Sequence, residues 1–338
     1  MKLRVRAAVL RLRHTFTISR DSQDAVRTVI VELERDGIVG YGEASPSGYY
    51  GHSAASIAAS IERTRTVIET ARDPLRVRDL LAEVEEALGG DRAALSAIDI
   101  ALHDWSGKKR GIPLHHMLGL DPDKLPLSSF TIGIDTIPRM VEKAREAAAF
   151  PILKVKLGTA DDLGIIRALR AATQARFRVD ANCAWTAEET VEKSRALAEL
   201  GVEFIEQPLP ADRMAEMADL RQASALPLYA DESAIVPEDV PAAEGRFDGI
   251  VIKLVKCGGI LPAVRMVELA RGLGLKVMFG CMIESSVAIT AASQIGPLAD
   301  HLDLDGAILI TNDPFTGARN IDGKITLPKG PGLGIQPR

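Results

Sequence analysis

From about Leu127 onward, short apolar strands alternate with helices, and no hairpin turn joins any two of the strands. The strands read Ser129–Ile134, Ile152–Leu157, Phe177–Ala181, Phe204–Glu206, Leu228–Ala230, Gly249–Val255, Lys276–Phe279 and a short segment around His301–Leu304. Amphipathic stretches such as Arg139–Ala149, Glu188–Leu200 and Leu261–Leu273 lie between them. Strands separated by helices must pair in parallel through crossover connections. Eight such units in about 190 residues predict a compact (β/α)₈ TIM-type barrel spanning residues 120–312. A doubly wound sheet is the competing arrangement.

The preceding residues follow a different pattern. Val26–Leu33 is β-branched and largely apolar, and Gly37–Gly42 returns after the polar turn Glu34–Asp36, which reads as a hairpin. Ser53–Thr70 and Asp91–Lys109 then carry apolar residues at three- and four-residue spacings, the helical period. This α+β segment occupies residues 1–115 and closes at Gly111–Pro113. The last stretch, Asn312–Arg338, is rich in Gly and Pro and lies outside the barrel pattern.

Composition removes several function classes. With Lys+Arg at 41 against Asp+Glu at 46, the net charge is -5. A nucleic-acid or anionic-membrane surface calls for a basic excess instead. Arg interrupts each apolar run near the amino terminus, and no stretch reaches the roughly 18 apolar residues of a membrane span. Cys183, Cys257 and Cys281 are odd in number and lack metal-ligand spacing. Neither a disulfide framework nor a zinc site is expected, and a cytoplasmic location is.

Charges recur at the ends of the strands. Strand two carries Lys154 and Lys156 at i and i+2, on one face. Asp180 ends strand three, Glu206 strand four and Asp231 strand five, and strand six carries Lys253 and Lys256. One charge per βα unit, always at the carboxyl end, makes a ring at the barrel mouth, where active sites of this fold lie. Five consecutive units with apolar flanks do not fit five unrelated solvated charges, since Lys, Asp and Glu are rarely buried unpaired. Three carboxylates on neighbouring strands form a hard oxygen site suited to Mg²⁺. A metal charge and partial burial both depress a lysine pKa, and a catalytic lysine works best near about 7–8.

Lys154-x-Lys156, Asp180-Ala-Asn182, Glu206-Gln-Pro208, Asp231-Glu-Ser233 and Lys253-x-x-x-Cys-Gly-Gly259 resemble the muconate-cycloisomerase branch of the enolase superfamily. That superfamily uses a Lys or His base with Mg²⁺ stabilising an enediolate. The resemblance extends over nearly the whole chain. Tyr41-Gly-Glu43-Ala44 and Ser96–Trp105 are similar to the family's capping domain, onto which the tail, residues 313–338, would pack. It implies Asp180, Glu206 and Asp231 as ligands of one Mg²⁺ per subunit. Lys156 and Lys253 would be acid/base lysines on opposite faces of the substrate, and Lys154 an auxiliary charge near its carboxylate. Residues 253 and 256 are offset by three and would face opposite sides of a strand, so Lys253, nearer its middle, is the one expected to act.

Two opposed lysines suit a 1,1-proton transfer with inversion at a carbon next to a carboxylate. Cys281 and Met282 in Gly280–Ser286, together with Asp303-Leu-Asp305-Gly306, resemble the dipeptide epimerases of the branch. In them the Asp-x-Asp receives the substrate's α-ammonium, which needs paired carboxylate acceptors once buried. Members acting on L-Ala-D/L-Glu place an Arg where this chain has Gln23, with Arg20 and Arg27 nearby. That departure speaks against an acidic side chain, and Tyr49, Tyr50 and His52 would line a less acidic pocket. The resemblance thus implies a small dipeptide substrate and a homo-oligomeric enzyme, with neither nucleic acid nor membrane as partner. N-acylamino acid racemases, o-succinylbenzoate synthases and muconate-type cycloisomerases share the scaffold and remain open. A Schiff-base aldolase would also place a lysine in a barrel, but has no need of three acidic strand ends.

Overall fold

The computed structural model describes all 338 residues. The first 44 residues form an antiparallel meander of β1 (Lys2–Ile18), β2 (Asp21–Arg35) and β3 (Ile38–Ala44). The β2–β3 pairing is the expected hairpin. Four helices follow, α1 (Ala54–Arg63), α2 (Arg65–Thr70), α3 (Val77–Leu88) and α4 (Arg92–Arg110). α3 is not among the helices expected from the sequence.

α4 is buried without interruption from Ala93 to Gly107, because it runs between the meander and the second layer of the molecule. Its contact with β3 depends on Gly40 and Gly42. A Cβ on Gly42 would stand 1.8 Å from the Ala97 carbonyl oxygen, and one on Gly40 would stand 2.2 Å from that of Ala101. Gly42→Val is therefore expected to push α4 off the sheet at a cost of about 3 kcal/mol. The thermal midpoint measures this, and a midpoint equal to the parent's would refute the packing account.

Eight parallel strands make the barrel: β4 (Phe130–Ile132), β5 (Ile152–Lys156), β6 (Arg176–Asp180), β7 (Val202–Glu206), β8 (Leu228–Ala230), β9 (Gly249–Ile252), β10 (Lys276–Gly280) and β11 (His301–Asp303). They pair in sequence order from β4 to β11, and a parallel bridge between Ser128 and Leu302 joins the last to the first. All strands run to the same mouth. β9 ends three residues short of the strand expected at 249–255, because Leu254–Cys257 forms a helical turn, with Gly258 and Gly259 at positive φ beyond it.

The barrel is filled beneath its mouth. Phe204, Tyr229, Val251 and Met278 form a buried cluster, with the first two rings stacked at 4.2 Å. Each lies two residues before Glu206, Asp231, Lys253 and Gly280, on the same inward face and one layer deeper. Arg178 joins them, its guanidinium donating to Glu203, to the Leu302 carbonyl and to His301 Nδ1. The tail returns to α4. Leu333 N–H donates to Asp104 Oδ1 at 2.8 Å, and Leu114 N–H to the Gly332 carbonyl at 2.8 Å.

Candidate active site

The strand-end charges converge. Ligand oxygens of Asp180, Glu206 and Asp231 lie within 4.8 Å of one another, and all three residues are buried. β6, β7 and β8 are neighbours, and Asp180 is in register with Glu206 across the first pair. Gln207, the next residue after Glu206, fastens the third carboxylate. Its Oε1 accepts from Asp231 N–H at 2.9 Å and Ser233 N–H at 3.1 Å, while its Nε2 donates to the Leu209 carbonyl. Gln207, Asn182 and Cys183 all hold positive φ, a backbone state that non-glycine residues adopt only under constraint.

The three carboxylates are not equivalent. Burial opposes the charge on Asp180, but Lys156 and Lys154 outweigh it and hold the carboxyl well below its usual range. Burial likewise opposes Asp231, which Lys253 and Lys256 hold low. Glu206 goes the other way. Burial and the charge of Asp180 push it up to about 8, although Lys154 pulls it back. Lys154 Nζ pairs with Glu206 Oε2 at 2.7 Å without hydrogen-bond geometry, and Oε1 has no partner at all. A buried carboxylate with an orphaned oxygen beside two further carboxylates fits a divalent cation, since buried charges otherwise find partners.

Lys156 Nζ donates to Asp180 at 2.7 Å, and Lys253 Nζ to Asp231 at 2.8 Å. The two lysines stand on β5 and just past β9, four strands apart in a ring of eight, and so face each other across the mouth. The expectation that Lys253 and Lys256 point to opposite sides is corrected. The chain leaves the strand after Ile252, and the helical turn brings both ammonium groups to Asp231. Lys256 is enclosed, donating to Asp231 Oδ1 and to the carbonyls of Asp231, Ala234 and Val251, so it braces Asp231 from behind. Lys253 is subject to two opposing influences. Burial lowers its pKa, but the Asp231 carboxylate outweighs burial and holds it above the ordinary lysine value.

Lys154 touches two of the three triad carboxylates. It is fully buried, with Nζ 2.8 Å from Asp303, 2.7 Å from Glu206 and 3.1 Å from Asp180, and it links strand eight to the triad. Asp303 also accepts from Ser129 Oγ at 2.7 Å. Asp305 has no cation. Its Oδ2 accepts from Thr131 N–H at 2.6 Å, and burial together with Asp303 pushes it up to about 7.

A cavity of about 860 Å³ opens above these groups and reaches the first meander. Gln23, Tyr50, Cys281 and Met282 all line it, as do Lys154, Lys156, Asp231, Lys253, Asp303 and Asp305. Tyr50 is held neutral by burial and by Asp231. Arg20 is already engaged by Glu232 and stacks on Tyr49 at 4.3 Å. The sequence shows Gln207 and Glu232 within motifs but no role for either, because their partners come from other strands or from the amino terminus.

Two family models match, mandelate racemase/muconate lactonizing enzyme N-terminal domain over residues 1–119 and enolase C-terminal domain-like over residues 137–338. The chain belongs to the mandelate racemase/muconate lactonizing enzyme family of the enolase superfamily. Within that family it is 45% identical over 338 residues to an L-Ala-D/L-amino acid epimerase of Maribacter sp., covering 99% of each chain. It is 43% identical to an L-Ala-D/L-Glu epimerase of Bacteroides thetaiotaomicron, over 96% of this chain and 85% of that one. A solved dipeptide epimerase of Enterococcus faecalis V583, complexed with Mg and L-Leu-L-Tyr, superimposes with a TM-score of 0.94. It shares 32% identity and covers 99% of this chain and 98% of that chain. Its relatives being named epimerases, this member of the mandelate racemase/muconate lactonizing enzyme family is an isomerase. No helix is long and apolar enough to cross a membrane.

Proposed function

We propose that the protein is a dipeptide epimerase that inverts the α-carbon of the C-terminal residue by proton transfer between Lys156 and Lys253. The observation that carries this reading is the pair of lysines facing each other across the mouth, each on its own carboxylate of one buried triad. A proton leaves one face of the α-carbon to one lysine and returns to the other face from the other lysine, a 1,1-transfer that inverts the centre. Asp180, Glu206 and Asp231 would hold one Mg²⁺, whose charge would stabilise the carboxylate-derived anion when bound. Lys154 balances the excess negative charge of the triad and Asp303. Asp305 takes the substrate's α-ammonium, which supplies the cation that this buried carboxyl lacks. Cycloisomerase, succinylbenzoate synthase and acylamino acid racemase substrates carry no ammonium and would leave Asp305 unpaired.

The C-terminal side chain meets Gln23 and Tyr50 at the cavity wall, with Arg20 spent on Glu232. A neutral side chain fits this wall, and the relatives named for L-Ala support a small first residue. Incubation of a dipeptide panel in D₂O, read by mass spectrometry and chiral chromatography, tests the activity. Absence of α-deuteration in every dipeptide would remove the epimerase reading. Within that panel, L-Ala-L-Gln is expected to match or exceed L-Ala-L-Glu in kcat/KM. A preference for Glu of about tenfold, erased by Arg27→Gln, would instead assign recognition to Arg27, which also lines the cavity.

A further inference from the structure

Arg20 sits in the turn between β1 and β2, at the edge of the cavity, yet its guanidinium reaches the barrel. Nη1 donates to the Asn182 carbonyl at 2.8 Å and Nη2 to Glu232 Oε1. Ser19 Oγ adds a third contact, to the same carbonyl at 3.3 Å. These partners are two residues after Asp180 and one after Asp231. Asn182 is tied further into the triad, since its N–H donates to Asp180 Oδ1 at 2.9 Å and its backbone stands at φ 44°. Glu232 is buried, with Oε1 on Arg20 and Oε2 without a partner. A single side chain of the first meander thus grips both loops that present triad carboxylates.

We propose that Arg20 is a positioning residue that latches the turn at Ile18–Asp21 to the loops after Asp180 and Asp231, so that docking of the turn and cation binding are coupled. This rests on the metal-site reading above. The positive φ at Asn182 is held by its surroundings, and the guanidinium on its carbonyl is part of that restraint. Release of Arg20 lets the turn relax and Asp180 with it, so a less ordered triad binds the cation more weakly. Coupling of this kind is reciprocal, and a filled cation site favours the docked turn.

The test compares the parent with Arg20→Gln, Glu232→Gln and the double variant, using isothermal titration with Mg²⁺ alone, steady-state kinetics on L-Ala-L-Gln, and thermal midpoints. Arg20→Gln is expected to weaken Mg²⁺ binding by about tenfold, the size of a charge-assisted hydrogen bond, and to raise KM comparably. kcat stays near the parent's, while the thermal midpoint falls in Arg20→Gln, which strands the buried Glu232 carboxylate, and recovers in the double variant, where that charge is gone. The double variant should bind Mg²⁺ no worse than Arg20→Gln, because both changes break the same Arg20–Glu232 contact. Parental Mg²⁺ affinity in Arg20→Gln, additive losses in the double variant, or an affinity that recovers together with the midpoint in the double variant would each overturn the latch. If the parent turns over no dipeptide, the epimerase reading fails, while the Mg²⁺ titrations still decide the role of Arg20.

Discussion

Lys156→Ala and Lys253→Ala are each expected to stop net epimerisation while preserving α-proton exchange of one epimer. The two ammonium groups approach from opposite sides of the mouth, on Asp180 and Asp231, so each serves one face of the α-carbon. Removing one leaves the other able to take a proton from its own face and give it back. In D₂O, one variant should therefore deuterate only the L,L-dipeptide and the other only the L,D-dipeptide. General acid–base groups contribute about 10²–10⁴-fold, and the loss of inversion should be at least that large. Lys256→Ala makes the control for the choice within this pair. Its ammonium is enclosed by Asp231, Ala234 and Val251, so its loss should lower the thermal midpoint without producing one-sided exchange. Inversion that survives in both Lys156→Ala and Lys253→Ala would end the two-base mechanism.

Removal of the metal should be equally severe. Protein stripped with EDTA is expected to lose turnover and to regain it with Mg²⁺. Among the triad, Glu206→Gln is the cleanest substitution, since the one cation on Glu206, Lys154, keeps Asp180 and Asp303 as partners. It should lower kcat/KM by on the order of 10³-fold, in step with its Mg²⁺ affinity, given that Lewis-acid stabilisation is worth several kcal/mol. Asp231→Asn is less informative, because Lys253 and Lys256 both rest on that carboxylate. Stranding a buried ammonium costs about 3–5 kcal/mol and would mix instability into the readout. Full activity in metal-free protein, or in Glu206→Gln, would refute the assignment of the triad.

The barrel and its ring of charges were legible because each βα unit repeats one grammar, an apolar strand ending in a single charged residue. That repetition placed Asp180, Glu206, Asp231, Lys156 and Lys253 at one mouth before any coordinates. The Lys253–Lys256 relation was not legible, since a strand and a helical turn of four residues differ in the direction they give to residue i+3. Nor was the central place of Lys154, whose partner Asp303 lies 149 residues away. The Arg20–Glu232 contact spans 212 residues and depends on how the meander is docked, which no local pattern encodes. α3 escaped for a different reason. It begins at Val77 with no side-chain cap, so nothing in the sequence marked its start.

The stacked rings of Phe204 and Tyr229, with Arg178 and His301 beside them, give the site a floor. The cavity above it is lined by Ile18, Arg20, Asp21, Tyr49 and Tyr50. On the epimerase reading, both epimers contend for that one vestibule. Progress curves should therefore slow well before equilibrium, with each epimer inhibiting the turnover of the other at a concentration close to its own KM.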